Sequence, residues 1–158
     1  MTDSLDMYVR LLGLLTVKID KGVKAPHKAI MLLTIFDLIA SGYIKSNKIY
    51  SDSVISRSFI AKWNELLTGQ ERFRCYSPHP WTPFWHLKND HFWRFVPEEG
   101  YTSTDVNTLY KGQTPPIGKV REYTKYVTLE ESLFNLLQNK NNREILSEVL
   151  IKNYINLS

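Results

Sequence analysis

His79, His86, Asp90 and His91 come closest, by type and spacing, to a metal centre, because imidazole and carboxylate side chains together bind divalent ions. No second carboxylate lies near Asp90 to complete a hydrolytic site, and His86 and His91 would straddle a turn. The same histidines can instead satisfy backbone groups or contact phosphate. Cys75 is the only cysteine, so neither an internal disulfide nor a thiolate zinc cluster can form. A nucleophilic Cys75 would need a base and a depressed pKa, and a lone cysteine is usually a small hydrophobe. Gly13, Gly22 and Gly42 are isolated and match no phosphate-binding fingerprint, so no nucleotide or other cofactor is expected.

The formal net charge is +4 and the isoelectric point about 9.1, a moderate leaning toward a polyanionic partner. Its distribution is more informative. Lys18, Lys21, Lys24, His27 and Lys28 crowd one stretch, Arg72 and Arg74 a second, and Lys111, Lys119, Arg121 and Lys125 a third. Pro26-His27-Lys28 stands at a helix start, where free N–H groups and side chains aim at one point and a phosphate can dock. Phe73, Tyr76, Trp81, Phe84, Trp85, Phe92, Trp93 and Phe95 interleave with Arg72, Arg74, Lys88 and Arg94, a mixture suited to a nucleic-acid groove or to a protein-binding surface. Most of these aromatics are expected in the core.

The elements that must position these groups follow from periodicity. Leu5, Tyr8, Leu11, Leu12 and Leu15 predict an amphipathic helix from Ser4 to about Val17, and Ile19 to Ala25 reads as a basic loop. Pro26 opens a central helix, apolar nearly all round, that Gly42 closes. A short hairpin is expected about residues 45–47, and Asp52 caps a third helix to about Leu67. Pro78, Pro80 and Pro83 predict a non-helical ordered loop over Glu71 to Pro83, followed by a β-hairpin of Phe84–Leu87 with Phe92–Val96. Pro97 to Gly118 reads as surface loop. Thr128-Leu129-Glu130-Glu131 has capping-box spacing for a helix to about Leu137, and a last helix runs from Asn142 to about Tyr154 with Ile145, Leu146, Leu150 and Ile151 inward.

At 158 residues, with 43% hydrophobic and 13% aromatic residues, the chain can bury a core as one domain, residues 1–158. The fold class expected is α+β and mostly helical: a helical core, a small β-hairpin and a long ordered loop rich in aromatics and proline. No apolar run approaches the roughly 20 residues needed to cross a bilayer, and the acidic start resembles no signal peptide. The single cysteine agrees with a reducing, cytoplasmic setting.

Three ordered segments carry a resemblance: Ala25-Pro26-His27-Lys28-Ala29-Ile30-Met31-Leu32-Leu33, Pro83-Phe84-Trp85-His86-Leu87-Lys88-Asn89-Asp90-His91-Phe92-Trp93, and Thr128-Leu129-Glu130-Glu131-Ser132-Leu133-Phe134 with Asn142-Arg143-Glu144. Together they resemble the sulfur-binding domain of phosphorothioation-dependent, McrA-like type IV restriction endonucleases. That resemblance implies a module that binds double-stranded phosphorothioate-modified DNA, while cutting belongs to a separate HNH domain or partner. It also implies a sulfur pocket of His27, Lys28, Thr82, Pro83 and His86; Thr82 stands where the family has a tyrosine, and His86 near its small residue. Lys18, Lys21, Lys24, Arg72 and Lys111 would meet the backbone, and the loop from Arg74 through Ser77 and His79 to Trp81 the bases. Sulfur is larger, more polarisable and a poorer acceptor than oxygen, so a dry wall of Pro83, the Thr82 methyl and the Lys28 stem would tolerate it and penalise oxygen.

Overall fold

The computed structural model describes residues 3–101 and 116–156, a mostly helical α+β fold. Lys111 lies outside the described residues. Helix α1 (Asp3–Gly13) buries Leu5, Tyr8 and Leu12 along one stripe. It stops a turn earlier than periodicity predicts, because the next backbone donors have tertiary partners: Leu15 N–H donates to the Tyr154 hydroxyl at 2.8 Å and Thr16 N–H to Asp90 Oδ1 at 2.8 Å. The expected basic loop is a minimal hairpin, β1 (Ile19–Asp20) against β2 (Val23–Lys24). Its two turn residues, Lys21 (φ 52°) and Gly22 (φ 79°), both occupy the left-handed region that such a tight connection requires.

Helix α2 (His27–Ala40) is the central element, buried on nearly every side from Lys28 to Phe36, with Pro26 just before its first turn and Gly42 (φ 84°) just beyond its end. Helix α3 (Ser53–Leu67) packs against it through Ile55, Phe59 and Trp63 and is capped as expected, Asp52 accepting from Ile55 N–H at 2.9 Å. The hairpin anticipated at residues 45–47 does not form. Ile49 instead pairs with Val127, and the Asn47 side chain brackets the Leu129 backbone, donating to its carbonyl (2.7 Å) and accepting from its N–H (2.9 Å). Local turn chemistry lost to a distant strand.

The largest departure lies between Glu71 and Val96. A 3₁₀ turn (Glu71–Phe73) precedes helix α4 (Trp81–His86), which continues as a second 3₁₀ turn (Leu87–Asp90). Pro80 and Pro83 do not forbid α4: they occupy its cap and first turn, where N–H groups have no intrahelical partner to lose. Phe84–Leu87 is therefore no strand. Strand β3 (Trp93–Pro97), entered through His91 (φ 71°), pairs antiparallel with β4 (Thr124–Leu129), and the Trp93 indole N–H donates to the Phe84 carbonyl at 2.9 Å. Alternation holds within β3, with Trp93 and Phe95 buried and Arg94 exposed. Tyr101 is exposed coil; the loop expected to run to Gly118 gives way at Ile117 to helix α5 (Ile117–Tyr123), and β4 takes up the helix start expected at Thr128.

Thr128 pairs with Arg94 inside β4 and caps nothing; Glu130 precedes helix α6 (Glu131–Leu136), and its carboxylate accepts from the Tyr8 hydroxyl at 2.6 Å. Helix α7 (Lys140–Leu150) is capped by Asn139 and widens into a π turn (Ile151–Ile155). Leu146 and Leu150 point inward, but Ile145 is exposed. Among the described residues no helix is long and apolar enough to cross a membrane.

Candidate functional site

The α2 start, the 75–79 loop, α4 and the segment after α1 enclose a cleft of about 600 Å³. Thr16, Val17 and Lys18 form one side; His27 and Lys28 the floor; Ser77 and His79 the far rim; Thr82, Pro83, His86 and Asn89 the remaining wall. All five residues of the expected sulfur pocket thus meet in one place, although two chain segments far apart in sequence supply them. No aspartate or glutamate is among its lining residues.

The floor is held by a charge network. Lys28, at 8% exposure, donates from Nζ to Asp90 Oδ2 at 2.6 Å and to the Thr16 carbonyl at 2.5 Å. Asp90 Oδ1 accepts from Thr16 N–H, so one carboxylate pins both the lysine and the segment beside it. The Tyr154 hydroxyl reinforces that segment by donating to the Leu12 carbonyl at 2.7 Å; burial pushes this phenol up to about 12, so it stays protonated. The ammonium of Lys28 is largely spent inside the protein. Lys28 thus lines the cleft with its charge already paired.

His27 faces Trp63 and Tyr76 with ring centroids at 4.8 and 5.7 Å, and its Nε2 lies 2.7 Å from the Ser77 carbonyl. A carbonyl only accepts, so Nε2 carries the proton. Burial, and secondarily the His79 charge, pull this imidazole below its ordinary value, although the Ser77 bond opposes the shift. His86 is likewise lowered, by burial first and then by Lys28 and Lys88. Both rings are neutral near pH 7. His27 is a strut that fixes the 75–79 loop, with the Tyr76 hydroxyl donating to the Val23 carbonyl at 2.6 Å.

The other expected contacts divide. Lys18, Ser77 and His79 line the cleft, while Lys21 and Lys24 sit on the neighbouring hairpin, Lys24 Nζ lying 5.4 Å from the Tyr154 ring centroid. Arg74 is exposed and within 3.5 Å of Glu71. Arg72 departs from a purely DNA-facing role: its guanidinium donates to the Ile155 carbonyl and lies over Phe73. Phe73, Phe84, Trp85, Phe92, Trp93 and Phe95 are core, leaving Tyr76 and Trp81 as the half-buried aromatics of the loop.

The metal reading loses its carboxylate, since Asp90 is committed to Lys28 and Thr16. Among the described residues, no group of three or more His, Cys, Asp or Glu side chains converges to hold an ion. The role of Asp90 has no local signature in the sequence; its only signal is a carboxylate far along the chain from a lysine that folding buries. Cys75 is exposed and lines the cleft. The sequence matches no protein-family model, and no curated protein matches it significantly.

Proposed function

We propose that this protein binds duplex DNA and recognises a phosphorothioate linkage in its backbone, as the non-cleaving recognition module of a modification-dependent restriction system. The observation that carries the reading is the convergence of His27, Lys28, Thr82, Pro83 and His86 on one cleft without a lining carboxylate. A polyanion can approach it. Pro83 is buried in the wall, Thr82 is half-buried beside it, and Lys28 offers a stem whose charge is already paired.

An ordinary phosphate oxygen pressed against that wall would lose water without a new donor, whereas sulfur, the poorer acceptor, has less hydration to lose. Discrimination then rests on a penalty for oxygen. The exposed cations at and near the rim, Lys18 and Lys21, would meet flanking phosphates without reading sulfur, with the exposed His79 imidazole beside them as a hydrogen-bonding group. The test is titration of one duplex, with and without a single phosphorothioate, at equal salt. The modified form is expected to bind at least about tenfold tighter, or about 1.4 kcal/mol. Equal affinity across several flanking sequences would reject sulfur recognition.

A further inference from the structure

A second cationic surface continues from the cleft along a chain of direct contacts. Trp81 is the residue before Thr82, at the start of α4. The Arg121 guanidinium, from α5, lies 5.6 Å from the Trp81 ring centroid, and its Nε donates to the Ser51 carbonyl at 2.8 Å. The neighbouring Tyr50 ring meets Tyr126 of β4 edge-on at 5.7 Å, and Lys48 Nζ lies 5.3 Å from the Tyr126 ring centroid. Lys48, Tyr50 and Arg121 are exposed, while Trp81 and Tyr126 are half-buried.

Two neighbouring carboxylates are occupied. Asp52 accepts from Tyr43 and caps α3, and Glu122 pairs with Lys119 at 3.1 Å. Among the described residues, Lys48 and Arg121 form no ion pair with a carboxylate; each rests on an aromatic face that holds its side chain in place. Cations held on aromatic supports, with no carboxylate partner among the described residues, match a sugar-phosphate backbone, whose charge they neutralise with little added loss of side-chain freedom.

We infer that Lys48, Tyr50, Arg121 and Tyr126 form a second DNA-contacting track, which receives the backbone of the same duplex flanking the linkage held in the cleft. The inference rests on the proposed DNA-binding function and adds where the DNA runs. The track reads no sulfur, because it offers open cations and no dry wall.

The test uses the full chain with Lys48→Gln, Arg121→Gln and both together, first checked for unchanged melting temperature. Affinity is measured against salt by fluorescence anisotropy on a modified duplex extending about one helical turn, about 10 base pairs, to each side of the linkage. Each substitution is expected to flatten the log–log salt slope by about 0.9, one phosphate contact. The ratio of modified to unmodified affinity should stay constant. A slope unchanged in the double variant, with tight binding retained, would overturn the track alone. Failure of the wild-type chain to bind either duplex would overturn the track together with the reading beneath it.

Discussion

The cleft floor and its rim hold cations in opposite states. On the floor, Lys28 is buried against Asp90 and burial lowers His27 toward neutrality, as it does His86 on the adjoining wall. On the rim and the adjoining hairpin, Lys18 and Lys21 are exposed, and Lys24 is partly shielded over Tyr154. Floor charges are satisfied within the fold, so a ligand there meets shape and dryness. Among the described residues no carboxylate forms an ion pair with the rim lysines, so they can release counterions to a polyanion. The proposed function therefore assigns selectivity to the floor and bulk affinity to the rim, and each half can be broken separately.

The largest effect is expected from Asp90→Ala, which leaves the Lys28 ammonium buried without its partner. Removing one member of such a pair costs about 3–5 kcal/mol, read by urea unfolding. A loss below about 1 kcal/mol, the range of an exposed pair, would show that the pair does not anchor the floor. Lys28→Ala has the same defect in reverse and reports on folding before binding. Lys28→Met with Asp90→Asn keeps the stem and the acceptor for Thr16 N–H, so it should recover most stability and much of the sulfur preference.

Next in size, Pro83→Ala should reduce the preference for modified duplex several-fold, by removing apolar wall, while leaving the salt slope alone. Thr82→Tyr tests the opposite direction and is expected to widen the preference. Loss of affinity for both duplexes in equal proportion would place Pro83 outside sulfur selection. The rim should behave in the converse way: Lys18→Ala, Lys21→Ala and Lys24→Ala each flatten the slope by about 0.9 per phosphate contacted, with the preference unchanged. Three unaltered slopes would remove this region from the DNA.

The smallest effect is pH-linked. Because His27 and His86 titrate below 6.5 in the fold, their stabilising contribution is complete above about 6.5 and disappears as pH falls through their lowered values. Melting temperature should decline across that window. A phosphate in the cleft would favour the charged rings, so binding should tighten over the same range and take up protons. Calorimetry in buffers of different ionisation enthalpy checks this; zero uptake would separate the histidines from the phosphate.

The sequence made the helical frame legible where one rule governed a segment. Asp52 capped α3, Gly42 ended α2, and the unbroken apolar run at Ile30–Phe36 marked the central helix. Reading failed where distant partners outbid local signals. Asn47 served the Leu129 backbone, Glu130 served Tyr8, and Thr128 joined a strand. The α4 helix is hidden in the sequence because Pro80 and Pro83 break a helix interior yet are tolerated at its cap and first turn, and sequence alone does not say which position they hold. The site residues were legible as two cationic and proline-containing segments, but Asp90, the carboxylate that joins the floor, required the third dimension.

If the modified linkage occupies this cleft, Cys75, exposed at its edge and the only cysteine, is a direct reporter of it. The rate of Cys75 alkylation by a small maleimide should fall as DNA is added, with modified duplex protecting at concentrations about tenfold lower, as a 1.4 kcal/mol preference requires. Alkylation that proceeds at the same rate under saturating modified duplex would place the DNA elsewhere on the protein and rule out the cleft as the sulfur site.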